Sequence, residues 1–162
     1  MEAMGKLVKM DVLIIGLRGL GVETAKNLIL AGPRSVTLVD DTPTQMRDLG
    51  ANFYLTEEHV QGGATRAQGS AGKLSELNPY VKVEVTDLGK ALDAAKSGAY
   101  GVVCQTELFN NNAPLDPEEV NAAARAGNAG YISAAALGAW GYAFVDFGES
   151  HTINDQDGEQ TK

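Results

Sequence analysis

The sequence predicts an α/β fold, in which helices flank an open, mostly parallel sheet that ends in antiparallel strands near the C-terminus. Three observations support this prediction. An apolar run at 12–15, a glycine-rich turn and a helical pattern follow one another near the N-terminus, as in a strand–turn–helix unit. Strand and helix patterns then alternate over two-thirds of the chain, which favours parallel strands joined by right-handed crossovers. After residue 131, two strand patterns come in direct succession, as expected for an antiparallel pair.

Each predicted element has its own signal. Strands are indicated by short β-branched or alternating apolar runs, which lie at 11–15, 35–39, 81–85, 100–104, 132–136 and 140–147. Helices are indicated by apolar residues that recur every three or four positions, at 22–31, 64–77, 90–97 and after Asp116. Gly69 and Gly72 cost the second helix about 1 kcal/mol each relative to alanine, so supporting packing or a break is expected there. The segment 110–114 is expected to form a loop.

Composition and charge narrow the function classes. The 162 residues include 44% hydrophobic and 21% charged residues, which suits a single globular domain. The formal net charge of −8 argues against a nucleic-acid or acidic-membrane surface, because either partner requires clustered basic residues. No apolar run approaches the roughly 20 residues of a membrane span. We therefore expect no nucleic acid and no membrane among the partners, and a cytoplasmic and nuclear location.

The glycine-rich turn is the strongest candidate site. Gly16, Gly19 and Gly21 follow a buried strand and open a helix, and this arrangement presents backbone N–H groups and the positive helix end to a phosphate. Arg18 stands where such loops usually carry a second glycine for close approach of the ligand. Its long side chain would fill the space that phosphates need. The glycine spacing therefore indicates a loop that descends from a nucleotide-binding loop, while Arg18 argues against phosphate binding by the present loop.

Asp40 closes the second strand and permits two interpretations. It lies about 20 residues after the glycine loop, where an acidic residue often binds a ribose hydroxyl. Alternatively, it starts an Asx-type turn with Thr42 and Pro43. The second interpretation is favoured for present function, while the first describes ancestry equally well.

Other chemistry-bearing residues lack the spacing of a site. His59 and His151 are far apart and show no metal-ligand spacing. The single cysteine, Cys104, makes neither an intramolecular disulfide nor a zinc site and is expected to be a small buried side chain. Adjacent glutamates at 57–58 and 118–119 are typical of solvated faces or helix starts. No Gly-x-Ser-x-Gly run is present to anchor a hydrolase triad.

Several linked motifs resemble one family. They comprise the glycine loop and its helix at 16–27, the strand ending at Asp40, Phe-Tyr-Leu with its following glutamates at 53–58, the Glu-Leu-Asn region at 74–80, Asp-Phe-Gly-Glu at 146–149 and Asp-Gly-Glu-Gln at 157–160. In this order they resemble the N-terminal inactive adenylation domain of the eukaryotic ubiquitin-activating enzyme. That domain has a ThiF-type adenylating fold, with a Rossmann-like sheet, and is one half of a pseudo-dimer.

The resemblance implies a division of labour. The family's active half binds ATP and magnesium and adenylates the C-terminal glycine of ubiquitin, which then passes to a cysteine in a separate domain. Three departures set this chain apart: Arg18 in the loop, Gly50 and Ala51 in place of an Asn-Arg pair, and Thr106 beside Glu107 in place of a magnesium-binding aspartate. We expect no catalytic residue, no metal site and a vestigial nucleotide loop made of Gly16, Arg18, Gly19, Gly21 and Asp40.

The resemblance also implies partners and boundaries. Residues 1–162 are expected to form a single, partial domain that ends before the inserted catalytic-cysteine half-domain, which would leave a sheet edge exposed to pairing. The expected partners are the active adenylation half, with its ATP and magnesium, and ubiquitin or a ubiquitin-like modifier through the whole enzyme. Two alternatives remain: the non-catalytic subunit of a SUMO-activating enzyme, and a stand-alone ATP-dependent adenylating or dinucleotide-binding enzyme.

Overall fold

The computed structural model describes residues 2–151, without the side chains of residues 2 and 3. The Asp-Gly-Glu-Gln motif at 157–160 lies outside the described residues. A six-stranded sheet forms the centre of the fold, and its strands are β1 (Asp11–Ile15), β2 (Ser35–Val39), β3 (Lys82–Val85), β4 (Val102–Gln105), β7 (Gly130–Leu137) and β8 (Trp140–Asp146). The short strands β5 (Phe109–Asn110) and β6 (Ala113–Pro114) form a separate two-stranded ladder.

The sheet has the order β3-β2-β1-β4-β7-β8. Neighbouring strands are parallel, except that β8 runs antiparallel to β7. The predicted α/β class, with its mostly parallel sheet and antiparallel C-terminal strands, is therefore confirmed. Because the chain moves outward in one direction from β1 to β3 and in the other from β4 to β8, the strand order reverses between β1 and β4.

The described residues also form six helices and one 3-10 helix, of which the first helix precedes β1 and the others lie between strands. They are α1 (Glu2–Leu7), α2 (Gly19–Ala31), the 3-10 helix (Met46–Gly50), α3 (Glu57–Gln61), α4 (Arg66–Ser75), α5 (Leu88–Lys96) and α6 (Pro117–Ala126). Asp116 starts α6 by accepting a hydrogen bond from the Glu118 N–H at 2.9 Å, and Gly32 ends α2 in the left-handed region at φ 87°. In the part of the chain that the structure describes, no helix combines the length and apolarity of a membrane span.

Apolar side chains of alternate strand residues form a core on each face of the sheet. On one face, Val12, Ile14 and Val36 pack with α2 and α4. On the other face, Leu13 and Ile15 pack with α5 and α6. This arrangement follows from the period of two in a strand, which places successive side chains on opposite faces. A parallel sheet covered on both faces holds the ends of β1 and β4 rigidly at the candidate site.

Two local predictions differ from the structure, and a third is resolved in favour of one of its alternatives. α2 begins at Gly19, three residues earlier than predicted, so the second half of the glycine loop is already helical. α4 is continuous through its two glycines, and of the two expected alternatives the structure shows packing, at Gly69, rather than a break. The segment 110–114 was expected to be a loop, but it contributes to the β5–β6 ladder. Asn111 and Asn112 adopt positive φ values of 47° and 65° between these strands, a conformation that asparagine tolerates and that closes a tight turn.

Candidate functional site at the glycine loop

The glycine loop connects β1 to α2 at the point where the strand order reverses. Gly16 has a φ of 97°, which suits glycine, and its N–H donates to the Val39 carbonyl at 2.8 Å. The loop therefore lies against the ends of both β1 and β2, beside the end of β4. In open α/β sheets, this crevice beyond the carboxyl ends of the strands is the usual position of a ligand.

Gly21 is required by packing between α2 and the sheet. A Cβ atom at Gly21 would lie 1.9 Å from the Gly16 carbonyl oxygen and 2.5 Å from Thr106 Oγ1. Backbone cannot yield to such an overlap, so only glycine fits at this position. Gly19 is less constrained, because its added Cβ would meet Ala51 Cβ at 3.4 Å. The packing of α2 on the sheet therefore explains by itself why residue 21 is glycine.

The Glu107 side chain packs directly on the glycine loop. A Cβ atom at Gly16 would lie 2.5 Å from Glu107 Cγ, so the absence of a side chain at Gly16 makes room for Glu107. Burial raises the pKa of the Glu107 carboxyl, and the nearby Arg18 guanidinium opposes this shift. Arg18 Nε lies 3.7 Å from Glu107 Oε1, while about half of the Arg18 side chain remains exposed. A partly buried carboxylate thus lies beside the loop backbone and pairs with the arginine of the loop.

Apolar surface continues from this ion pair. An open pocket of about 390 Å³ is bordered by Arg18 and Glu107 and extends to Leu108, Phe109 and Leu137. Phe109 and Leu137 are 56% and 66% exposed. The surface beside the glycine loop therefore combines one ion pair with large apolar side chains, which suits contact with a protein better than contact with a polyanion.

The residues predicted to mark lost ligand contacts lie close to the loop. Thr106 is buried, and its Oγ1 donates to the Gly16 carbonyl at 3.0 Å, so its hydroxyl fastens the end of β4 to the loop. Gly50 ends the 3-10 helix and Ala51 follows it beside Gly19. Gly50 has no side chain and Ala51 has only a methyl group, so neither residue can reach into the crevice as the arginine of an Asn-Arg pair could.

Asp40 is buried and fully engaged by the protein. Its Oδ2 accepts from the Leu17 N–H at 2.9 Å, and its Oδ1 accepts from the Thr42 N–H at 3.1 Å. The second bond is the predicted Asx-type turn. Arg66 Nη1 also lies 3.3 Å from Asp40 Oδ2. The carboxylate that would bind a ribose therefore holds the glycine loop against the start of α4.

Arg66 was missed by the sequence analysis. Its side chain is only 1% exposed, and its Nε donates to Asp48 Oδ2 at 2.9 Å. Burial disfavours the charged guanidinium, but the hydrogen bond to Asp48 and the charge of Asp40 outweigh that effect and raise the pKa of Arg66. Helical periodicity could not reveal this residue, because it counts apolar positions, while Arg66 faces the core as the shared partner of two carboxylates.

Asn52 is a second residue that the sequence did not single out. It is completely buried, and its Nδ2 donates to the Leu17 carbonyl at 3.0 Å and to Ser70 Oγ at 2.9 Å. Its Oδ1 accepts from the Tyr54 N–H at 3.1 Å. One side chain thus joins the glycine loop, the segment after the 3-10 helix and α4. The signal available in the sequence was the position of Asn52 directly before the apolar cluster at 53–55.

The remaining candidates have structural environments. Cys104 is 6% exposed, and burial raises the pKa of its thiol to about 11. His59 Nδ1 accepts from the Thr56 N–H at 3.0 Å and helps to start α3, while the His151 ring stacks on Phe147 with centroids 4.9 Å apart. Within residues 2–151, no three histidine, cysteine or acidic side chains are grouped as a metal site requires.

Comparison with known proteins identifies related sequences. The model of the ThiF family matches residues 1–104. The ubiquitin-activating enzyme E1 1 of Schizosaccharomyces pombe is 40% identical over 159 residues, which cover 98% of this chain. The human ubiquitin-like modifier-activating enzyme 1 is 40% identical over 161 residues, and the mouse ubiquitin-like modifier-activating enzyme 6 is 36% identical over 169 residues. The chain spans only 14–15% of the length of these relatives.

Proposed function

The chain belongs to the ThiF family, and from that premise we propose that it is the non-catalytic adenylation half of a ubiquitin-activating enzyme. In this role it packs against the active adenylation half and supports ATP-dependent activation of ubiquitin without binding the nucleotide itself. Relatives named as ubiquitin-activating or ubiquitin-like modifier-activating enzymes align with nearly the whole chain. This similarity supports a role in the activation of ubiquitin. The non-catalytic role is supported by the residues at the glycine loop.

The contact between Glu107 and Gly16 carries the proposal. Glu107 packs its Cβ and Cγ atoms on Gly16, and its carboxylate, 3.7 Å from Arg18 Nε, lies beside the loop that a phosphate would approach. A phosphate there would meet a negative charge at short range in a partly buried environment, which is unfavourable. Arg18 does not rescue the site, because it is already paired with Glu107.

ATP and magnesium do not fit the residues present. Asp40 has both oxygens in hydrogen bonds to backbone N–H groups and an ion pair with Arg66, so a ribose hydroxyl would have to displace them. Thr106 uses its hydroxyl on the Gly16 carbonyl, and a lone Glu107 paired with arginine is a poor magnesium ligand set. We derive no catalytic step for this chain and assign ATP and magnesium to the partner half.

Calorimetric titration with Mg-ATP tests the absence of nucleotide binding. We expect no binding to the unchanged chain at micromolar nucleotide. A chain carrying both Arg18→Gly and Glu107→Ala has lost the blocking carboxylate and its partner, and it should bind the triphosphate weakly, at a dissociation constant of about 1 mM. Arg18→Gly alone leaves the unpaired carboxylate and serves as the control. Micromolar binding by the unchanged chain would refute the proposal.

A mixing experiment tests the scaffold role. The chain is added to the complementary active adenylation half, and ATP–pyrophosphate exchange is measured with ubiquitin and, separately, with SUMO. We expect exchange that depends on both the chain and ubiquitin, and none from the chain alone. Exchange by the chain alone would support a stand-alone adenylating enzyme, and exchange with SUMO only would support the SUMO-type subunit. The cytoplasmic and nuclear location stays a prediction.

A further inference from the structure

The segment between β4 and α6 crosses the carboxyl edge of the sheet. β4 ends beside β1, and Glu107 then packs on Gly16 at the end of β1. The chain continues past β1 to the end of β2, where Asn110 contacts Asp41. Residues 107–115, which we call the strap, therefore lie across the crevice in which open α/β sheets usually bind a ligand.

Three hydrogen bonds fasten the tip of the strap to the segment after β2. Asn110 Oδ1 accepts from the Asp41 N–H at 2.8 Å, and Asn110 Nδ2 donates to Asp41 Oδ2 at 2.8 Å. The Asn111 N–H donates to Thr42 Oγ1 at 2.8 Å. Asp41 Oδ2 also accepts from the Leu88 N–H at the start of α5, at 3.2 Å. The carboxylate that receives the strap is therefore held in place by the scaffold itself.

The strap is anchored at its base but has little apolar support at its tip. At the base, the Leu115 N–H donates to the Leu108 carbonyl at 2.8 Å, and Gln105 Nε2 donates to the Leu115 carbonyl at 3.3 Å. β5 and β6 have only two residues each, and an isolated two-stranded hairpin is at best marginally stable. Leu108 and Phe109 are 39% and 56% exposed. The position of the tip therefore depends on its polar contacts.

We propose that the Asn110–Asp41 pair is a latch that keeps the strap closed over the crevice. The closed strap holds Glu107 against Gly16, and a strap released at its tip gives Glu107 the freedom to leave the glycine loop. Asn110 and Asp41 are thus positioning residues, which act on the crevice through Glu107. The latch itself follows from the contacts described above, whereas its effect on nucleotides rests on the proposed function.

Amide hydrogen exchange at pH 7 tests the latch. Asn110→Asp keeps the size of the side chain but replaces its donor with an oxygen that faces the Asp41 carboxylate, so the two charges repel. We expect the protection factors of the Asn111 and Leu115 N–H groups to fall at least about tenfold. Asn112→Asp makes the same change at an exposed position of the turn and should leave protection unchanged. Asp41→Asn retains an acceptor oxygen and should keep the strap closed.

Titration with Mg-ATP tests the effect of the strap on the crevice. The N–H signals of Gly19 and Gly21 in NMR spectra serve as the readout, because both groups lie in the glycine loop. When Asn110→Asp is combined with Arg18→Gly, we expect binding at a dissociation constant of about 1 mM. The combination of Asn112→Asp with Arg18→Gly is the matched control and should not bind.

The possible outcomes separate the latch from the proposed function. Unchanged protection in Asn110→Asp would overturn the latch, as would an equal loss of protection in Asn112→Asp. Thermal melts show whether Asn110→Asp has folded, and Asn110→Ala decides the outcome if it has not. Loss of protection without nucleotide binding in the Arg18→Gly background would overturn the strap as a barrier to nucleotides. Micromolar binding by the unchanged chain would refute the proposed function, while the exchange result would still decide the latch.

Discussion

One buried arginine holds two carboxylates beneath the candidate site. Arg66 contacts Asp48 through Nε and Asp40 through Nη1, and all three side chains are almost completely buried. Removing one member of such a group leaves charge buried without compensation, which is far more costly than the net gain from the intact group. Arg66 therefore helps to hold Asp40 in the position from which it accepts the hydrogen bond of the Leu17 N–H in the glycine loop.

Substitution of Arg66 tests this arrangement. We expect Arg66→Met to lower the free energy of unfolding by about 3–5 kcal/mol, since Asp40 and Asp48 lose their shared partner. Arg47→Met changes the same residue type at an exposed position of the 3-10 helix and should stay within about 0.5 kcal/mol of the unchanged chain. Urea denaturation measures both. Equal stability of the two variants would contradict the assigned role of Arg66.

At the scale of the element, α4 contains two glycines with different surroundings. A Cβ atom at Gly69 would lie 2.7 Å from Leu55 Cδ2 and 3.2 Å from the His59 ring, whereas nothing lies within 4 Å of one at Gly72. Gly69 therefore lets the segment 55–59 pack closely on α4, and this packing offsets its poor helix propensity. Gly72 has no such compensation.

Two alanine substitutions should separate these effects. Gly72→Ala is expected to raise the free energy of unfolding by about 0.5–1 kcal/mol, because alanine favours the helix and has room. Gly69→Ala gains the same propensity, but it forces Leu55 and His59 to move, so we expect net destabilisation. Thermal or urea unfolding of the two variants compares them directly. A stabilising Gly69→Ala would show that the contact with Leu55 yields easily.

Asp146 links α6 to β8 and gives that link a pH dependence. Hydrogen bonds from Arg125, followed by one from Asn121, lower the pKa of Asp146 from its ordinary value of 3.8. A carboxyl with a lowered folded pKa contributes stability that is present above its unfolded pKa and is lost as the pH falls towards the folded one. Melting temperatures between about pH 6 and pH 2 should therefore fall more steeply for the unchanged chain than for Asp146→Asn. Parallel curves would exclude this contribution.

The elements were largely predictable, while the contacts at the site were not. Strands such as β1 and β2 follow from β-branched runs, and α6 follows from its capping aspartate and its periodicity. These signals are local. The packing of Glu107 on Gly16 joins residues 91 positions apart, and the group around Arg66 depends on three separate segments. Neither contact has a periodic or compositional trace, so only the folded chain reveals them.

For the whole molecule, the single cysteine provides a reporter of global unfolding. Cys104 lies in the core between the sheet and α2, and burial raises the pKa of its thiol to about 11. Because the thiolate is the reactive form, folded Cys104 should resist a thiol reagent at pH 8. Its labelling rate in increasing urea should follow the unfolded fraction measured by circular dichroism, and the unfolded chain should react like free cysteine. Rapid labelling of the folded chain would indicate local opening at β4.

Gly21 changes what a short sequence signature can be taken to mean. Its lack of a side chain is demanded by the carbonyl of Gly16 and the hydroxyl of Thr106, which belong to the scaffold and are present whether or not a small molecule ever arrives. Packing alone can therefore preserve a sequence motif of this kind, whether or not the protein binds the ligand for which the motif is named. The glycine pattern alone therefore does not distinguish a nucleotide site from a steric requirement between a helix and a strand.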